Sequence, residues 1–268
     1  MNSIEQLISA KTKDRLASIH IDAIGLIRLG KTNEERLNNF SRIISSTEQM
    51  GGNIMIPTFS YTYPKNEIFS VLETPSDVGA VTEFLRKSYP YKRTIDPFFS
   101  YLVFGEKGSE HFKVKDYECF GDKSLIADLF AQDGYICCVG NVFHNTPTEV
   151  HYIEKLLHVD YRFNKVFNGI IRDCEGQEHQ HIVTFYCRKY VDEVFPDMTR
   201  LDSDLKNSGL FEYWRDDKVD FEIQAISFQR LYDFVKDKLT RNPGYLCSTK
   251  SEYDENLKKR RGWMYRAD

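Results

Sequence analysis

The chain lacks several features that would assign it to a special class. No stretch approaches the roughly 20 consecutive apolar residues that span a bilayer. The opening residues Met1-Asn2-Ser3-Ile4-Glu5-Gln6 lack the basic segment and apolar core of a secretory signal, so a cytoplasmic location is expected. Six cysteines (Cys119, Cys137, Cys138, Cys174, Cys187 and Cys247) include no C-x-x-C pair. That scatter argues against a disulfide framework or zinc cage and reads as reduced thiols; no metal is expected. A basic surplus is also missing: Lys+Arg 36 against Asp+Glu 40 gives a net charge of -4, which argues against nucleic acid or an anionic membrane as partner. The one dense basic cluster, Lys258-Lys259-Arg260-Arg261, reads as a solvated tail. Low-complexity segments, Pro/Ser-rich linkers and internal repeats are absent. What remains is 268 residues, 41% hydrophobic and 28% charged, which suits a globular chain with a sizeable core.

Periodicity then suggests the layout. Ile4, Leu7, Ile8 and Leu16 recur at helical spacing, predicting an N-terminal helix ending near Ala17, followed by a short strand over residues 18–22. Asn33 with Glu34 and Glu35 reads as a capped helix start, Leu37, Phe40, Ile43 and Ile44 as its buried stripe, and Gly51-Gly52 as its stop. Residues 53–57 and 135–139 are apolar runs of buried-strand length, and residues 99–104 read as a further strand. Helices are predicted from Thr74-Pro75-Ser76-Asp77 onward, over 124–130, and from about Thr148 to His158. Beyond Phe167 the signal thins to strands at 181–186 and 221–228 and a helix at 231–239. This alternation predicts an α/β fold, a mixed sheet flanked by helices on both faces. One domain over 1–268 is expected, with residues 1–166 as its core and 167–268 elaborating it.

Two segments carry candidate chemistry. Gly25-Leu26-Ile27-Arg28-Leu29-Gly30-Lys31-Thr32 fits G-x-x-x-x-G-K-[ST], the phosphate-cradling loop of nucleotide-binding proteins. Bulky residues fill the loop positions, and a continuing strand with a turn at Gly30 before a capped helix is the favoured reading; a nucleotide-binding module is the alternative. The second segment is Thr148-Glu149-Val150-His151-Tyr152-Ile153-Glu154-Lys155, continuing to His158. On a helix His151, Glu154 or Lys155, and His158 share a face. Three readings stay open: an amphipathic surface helix, a zinc site without the H-E-x-x-H spacing, and a general base, His151, oriented by Glu154.

The order of the surrounding segments narrows this. His20-Ile21-Asp22-Ala23-Ile24-Gly25 is followed by Met55-Ile56-Pro57-Thr58-Phe59-Ser60, then Thr74-Pro75-Ser76 with Gly79-Ala80. Arg93-Thr94-Ile95-Asp96-Pro97-Phe98-Phe99-Ser100 with Gly105 comes next, then Phe120-Gly121, Ser124, Gly140, and Thr148-x-x-His151-x-x-Glu154. The series, from about Ser18 to Lys155, resembles the aminoglycoside 3-N-acetyltransferase family. The resemblance implies an α/β fold distinct from the GNAT acetyltransferases, and transfer of an acyl group, usually acetyl, from acyl-coenzyme A to an amine of an amino sugar. By similarity His151 is the catalytic histidine and Glu154 its acid. His20, Ile21, Asp22, Ala23 and Gly25 form the loop nearing the cofactor phosphates, and Thr58 and Ser100 are further cofactor contacts. Ser60, Tyr61, Asp96, Thr148 and Glu149 take the substrate side. Three positions depart from the family pattern: Ile21 and Asp22 replace hydroxyl residues, and Asp96 stands where drug-modifying members commonly carry histidine.

The implied chemistry is direct. A sugar ammonium must lose a proton before it attacks a thioester, and His151 would take it. The oxyanion needs donors such as backbone amides or the Thr148 hydroxyl. The departing thiolate, of parent pKa about 8.5, needs no strong acid, and no covalent acyl-enzyme is required. Cys137 and Cys138, within an apolar run, read as buried structural thiols. The expected acceptor is an amino sugar for a surface glycan, free or nucleotide-linked, with an aminoglycoside antibiotic as the second choice. Monomer and homodimer are both open.

Overall fold

The computed structural model describes residues 3–113, 117–140, 143, 148–189, 195–216, 218, 220–249, 251–252 and 255; the Lys258–Arg261 cluster lies outside them. Its strands are β1 (Leu16–Ile21), β2 (Asn53–Pro57), β3 (Phe69–Ser70), β4 (Tyr101–Phe104), β5 (Tyr117–Glu118), β6 (Tyr135–Val139), β7 (Arg162–Arg172), β8 (Glu178–Arg188), β9 (Phe195–Pro196), β10 (Glu212–Asp216), β11 (Phe221–Ser227) and β12 (Cys247–Ser248). Its helices are α1 (Ile4–Thr12), α2 (Asn33–Gln49), α3 (Ala80–Ser88), α4 (Leu125–Ala131), α5 (Glu149–Leu156), α6 (Thr199–Ser208) and α7 (Phe228–Arg241).

A six-stranded sheet in the order β10-β11-β6-β1-β2-β4 forms the centre. Strands β6, β1 and β2 run parallel, while β4 and β11 join their two sides antiparallel. Strand side chains alternate between faces, so each strand feeds two cores. Ala17, Ile19, Ile54, Ile56, Cys137 and Val139 pack with Ile4 and Ile8 of α1, Phe40 and Ile44 of α2, and Leu85 of α3. Leu16, Met55, Ile136 and Cys138 pack with α4, α5, α6 and α7 on the other face. Ser18 and His20 share the parity of Leu16 and therefore face α5. A second sheet, β3-β7-β8-β5, is dominated by the antiparallel pair β7–β8, paired from Arg162↔Arg188 to Arg172↔Glu178.

Several predicted boundaries shift for identifiable reasons. Helix α1 ends at Thr12 because Leu16 already pairs with Asn53 in the sheet. Thr32, not Asn33, caps α2, through a capping box in which its hydroxyl accepts the Glu35 amide and the Glu35 carboxylate accepts the Thr32 amide. The helix expected from Thr74 begins only at Ala80, because the Thr74 hydroxyl accepts the Ser70 amide at 2.8 Å and closes a turn instead. The expected strand over 99–104 shortens to Tyr101–Phe104, since the Phe99 amide is bound by Asp96. Strand β7 was not predicted.

Candidate active site

In open α/β sheets, ligands bind beyond the carboxyl ends of the parallel strands. An open cleft of about 220 Å³ lies there. His20 and Ile21 reach it from the end of β1, and Pro57, Phe59 and Tyr61 from β2 and the chain after it. Val78 and Thr82 flank the start of α3, Met198 precedes α6, and Thr148 and His151 come from the start of α5.

His151 projects from the first turn of α5 with a partly exposed ring. Its Nδ1 lies 2.6 Å from Oε2 of Glu154, one turn on, and the Glu154 carboxylate is buried. An ionised carboxylate only accepts, so in the tautomer that bonds Glu154 it is Nδ1 that donates and Nε2 that keeps the basic lone pair; in the other tautomer Nδ1 accepts from Arg162. Two residues from the start of β7 complete the group. Tyr161 donates its hydroxyl to Glu154 Oε1 at 2.8 Å, and Arg162 Nε stands 2.6 Å from Glu154 Oε2. An Arg162 terminal nitrogen approaches His151 Nδ1 to 2.8 Å. Burial and then the Arg162 charge push the His151 pKa below its ordinary value, against the opposing pull of Glu154. The ring is therefore neutral near pH 7 and able to take a proton. Burial alone would raise Glu154, but His151, Arg162 and Tyr161 together hold it below the usual carboxylate value.

A second imidazole–carboxylate pair borders the same cleft. His20 Nε2 lies 2.9 and 3.1 Å from the two oxygens of Glu149 and 3.3 Å from the Ser18 hydroxyl. Both partners are buried, His20 being 4% exposed and Glu149 fully enclosed. Burial raises Glu149, but the His20 interaction more than reverses it, so its pKa is lowered. Thr148, whose hydroxyl makes no capping bond, borders the cleft beside this pair.

The remaining predicted residues divide. Tyr61 borders the cleft, its amide donating to Asp77 Oδ2 at 3.2 Å. Thr58, Ser60 and Ser100 are buried and engaged with the chain itself. The Thr58 and Ser100 hydroxyls meet at 3.2 Å, and Ser60 donates to the Pro97 carbonyl at 3.0 Å. Arg93 ties this region together, donating to Ser100 Oγ and to the carbonyls of Val71, Thr74 and Thr58 with no carboxylate partner among these bonds. Burial, then nearby Arg86, pulls its pKa down to about 9. Asp96 Oδ1 accepts the Phe98 and Phe99 amides at 2.8 and 2.9 Å, and the residue lines a separate small cavity of about 10 Å³.

Residues Ala23–Leu29 form a 3-10 helix rather than a continuing strand, with Asp22 as its cap, accepting the Ile24 amide at 3.1 Å. Gly25 is required by close approach: a Cβ there would lie 2.5 Å from the Gly140 nitrogen. The Lys31 and Thr32 amides that would cradle a phosphate in the nucleotide-binding reading are both bound by the Glu35 carboxylate, at 2.7 and 3.3 Å. His158 does not share the helical face: it lies beyond α5 with φ 52° and borders a different surface pocket, where Asp160 is also found. The zinc reading loses that ligand. Among the described residues no group of three His, Cys, Asp or Glu side chains is arranged to hold a metal ion.

Sequence reasoning passed over Tyr161, Arg162 and Met198. The available signal was Glu154 itself, since a carboxylate buried on an apolar helix requires donors within reach; that they start the next strand was not deducible.

With this geometry in place, the chain belongs to the aminoglycoside 3-N-acetyltransferase family, whose model matches residues 36–240. It is accordingly an N-acyltransferase. The match begins after the β1 end that carries His20. Similar solved structures include AAC-IIIb in a binary complex with CoASH, at TM-score 0.66 and 17% identity, covering 90% of this chain and 97% of that one. AAC-VIa bound to sisomicin superposes at TM-score 0.63 and 15% identity, covering 89% and 97%. The YokD protein of Bacillus subtilis gives TM-score 0.63 and 15% identity, covering 91% and 96%. No curated protein sequence matches the chain.

Proposed function

We propose that the protein transfers an acetyl group from acetyl-coenzyme A to one amine of an amino sugar, with His151 as general base. The observation that carries this is the His151–Glu154 pair: a buried carboxylate lies 2.6 Å from the ring's Nδ1 while the ring borders an open cleft. His151 takes a proton from the attacking nitrogen, and Arg162 keeps the ring unprotonated beforehand. Acetyl-coenzyme A supplies the electrophilic thioester, and its presence in the family is supported by the CoASH complex of AAC-IIIb. The residues fit such a donor. Pro57, Phe59 and Val78 offer apolar walls to a pantetheine arm, and the uncommitted Thr148 hydroxyl suits a thioester oxygen as charge builds on it.

For the acceptor, the cleft lining favours low charge. Among the described residues no carboxylate lines it directly; Glu149 and Glu154 lie behind His20 and His151 and are already paired. A polycation would gain little there. The reading preferred is therefore an amino sugar for a surface glycan, free or nucleotide-linked. An antibiotic acceptor is the second reading, supported by the sisomicin complex of AAC-VIa. Thiol release from acetyl-coenzyme A, measured with nucleotide-linked amino sugars and with kanamycin-type aminoglycosides, separates them. Turnover of the drugs alone would overturn this order.

A further inference from the structure

The two imidazole–carboxylate pairs on one cleft have different environments and, by the chemistry of the reaction, different tasks. An ammonium acceptor loses two protons on becoming an amide, whereas the coenzyme leaves needing one. His151 serves the nitrogen side of that traffic, and a weak acid such as an imidazolium suffices on the sulfur side. His20 is the other imidazole that lines the cleft. It lines the cleft from the end of β1. Its Nε2 is held by both oxygens of the enclosed Glu149, and its Nδ1 has no hydrogen-bond partner among the described residues. An imidazole so held, beside an ionised carboxylate, presents in its protonated form one N–H that is not committed to the protein.

We propose that His20, with Glu149 as its positioning carboxylate, is a second catalytic residue: the acid that delivers a proton to the departing thiol. The inference rests on the acyl-transfer reading above. The step balances as follows. His151 Nε2 takes the ammonium's first proton and passes it to water in the open cleft; the amine lone pair then forms the N–C bond as the carbonyl π pair moves to oxygen, and His151 Nε2 removes the second proton from nitrogen. The oxygen pair then re-forms the carbonyl, the C–S bond breaks with its electrons on sulfur, and His20 Nδ1 gives its proton to that sulfur. His151 ends protonated and His20 neutral, and exchange with water in the open cleft restores both. A joint that only ties β1 to α5 would show none of the following behaviour.

The test is the pH dependence of kcat and kcat/KM in the wild-type chain, His20→Asn and Glu149→Gln. A base–acid pair gives a bell-shaped wild-type profile. His20→Asn is expected to lose the alkaline limb and to lower kcat by about tenfold or more, with KM for acetyl-coenzyme A within roughly twofold. Glu149→Gln weakens the hold on Nε2, so kcat should fall in the same direction as in His20→Asn, and the loss should likewise depend on the acyl donor. A second readout is the acyl donor: the His20→Asn loss should shrink with an acetyl aryl thioester, whose thiolate leaves without help, while a His151→Ala loss should be equal for both donors. A wild-type profile without an alkaline limb, or a limb unchanged in His20→Asn, overturns the proposal. If His20→Asn does not fold, a Glu149→Gln loss that is equal for both acyl donors overturns it instead. Failure here leaves wild-type transferase activity intact, whereas a wild-type chain that releases no thiol with any amine defeats the parent reading.

Discussion

At His151, burial first, and then the balance between the Arg162 cation and the Glu154 anion, sets the base. Arg162 lowers the imidazole pKa and Glu154 raises it, so replacing each should move the acidic limb of kcat/KM in opposite directions. Arg162→Leu is expected to shift that limb to higher pH, and measurement of the profile between pH 5 and 8 checks it. The same change leaves Glu154 buried with one fewer donor, so a stability loss of about 3 kcal/mol is expected by denaturant unfolding. Half of this group was legible in the sequence: the i,i+3 spacing of His151 and Glu154 places them on one helical face without any structure. Arg162 and Tyr161 were not, because they come from a strand whose register the sequence does not disclose. The pairing of His20 with Glu149, 129 positions apart, depends wholly on tertiary packing.

Among the elements, the loop between β1 and α2 shows how a formal motif and its local chemistry separate. The Glu35 carboxylate caps α2 by taking the amides of Lys31 and Thr32, so these two donors are not free for a phosphate. Lys31→Ala should leave acyl transfer within about twofold of wild type, whereas a large fall would restore the nucleotide-binding reading. Gly25 is the stricter position. Its Cα packs on the Val139–Gly140 backbone, which has no flexible end to give way, so Gly25→Ala is expected to cost about 1–3 kcal/mol, read as a fall in Tm. The buried strands β1, β2 and β6 were readable as apolar runs bounded by glycine or proline. Strand β7 was not, because Arg162, Asn164, Lys165 and Asn168 break both the apolar run and the alternation, and only pairing with β8 fixes it as a strand.

Over the whole molecule, the site is also a source of pH-dependent stability. The folded pKa of His151 lies below its ordinary 6.5, so the unfolded chain binds that proton first and stability falls as pH drops below 6.5. Glu149 and Glu154 are lowered from 4.5, so their contribution is present above 4.5 and is lost as pH falls through their folded values. Both effects have the same sign. Tm should decline from pH 7 to 4, steepening below 4.5, and a flat Tm across that range would contradict the assigned charge states. Sheet order is the part of the architecture least visible in sequence. An α/β alternation announced a covered sheet, but β10 and β11, from the last third of the chain, extend it beyond β6 through antiparallel pairings that no local pattern encodes.

The most direct measurement is the turnover of His151→Ala against the wild-type chain, with acetyl-coenzyme A and an accepted amino sugar, following thiol release at pH 7 to 8. A loss of kcat of roughly 100-fold or more is predicted for removal of a general base. A loss below about tenfold, in a variant that retains the wild-type fold, would remove His151 from that role and with it the account of the site.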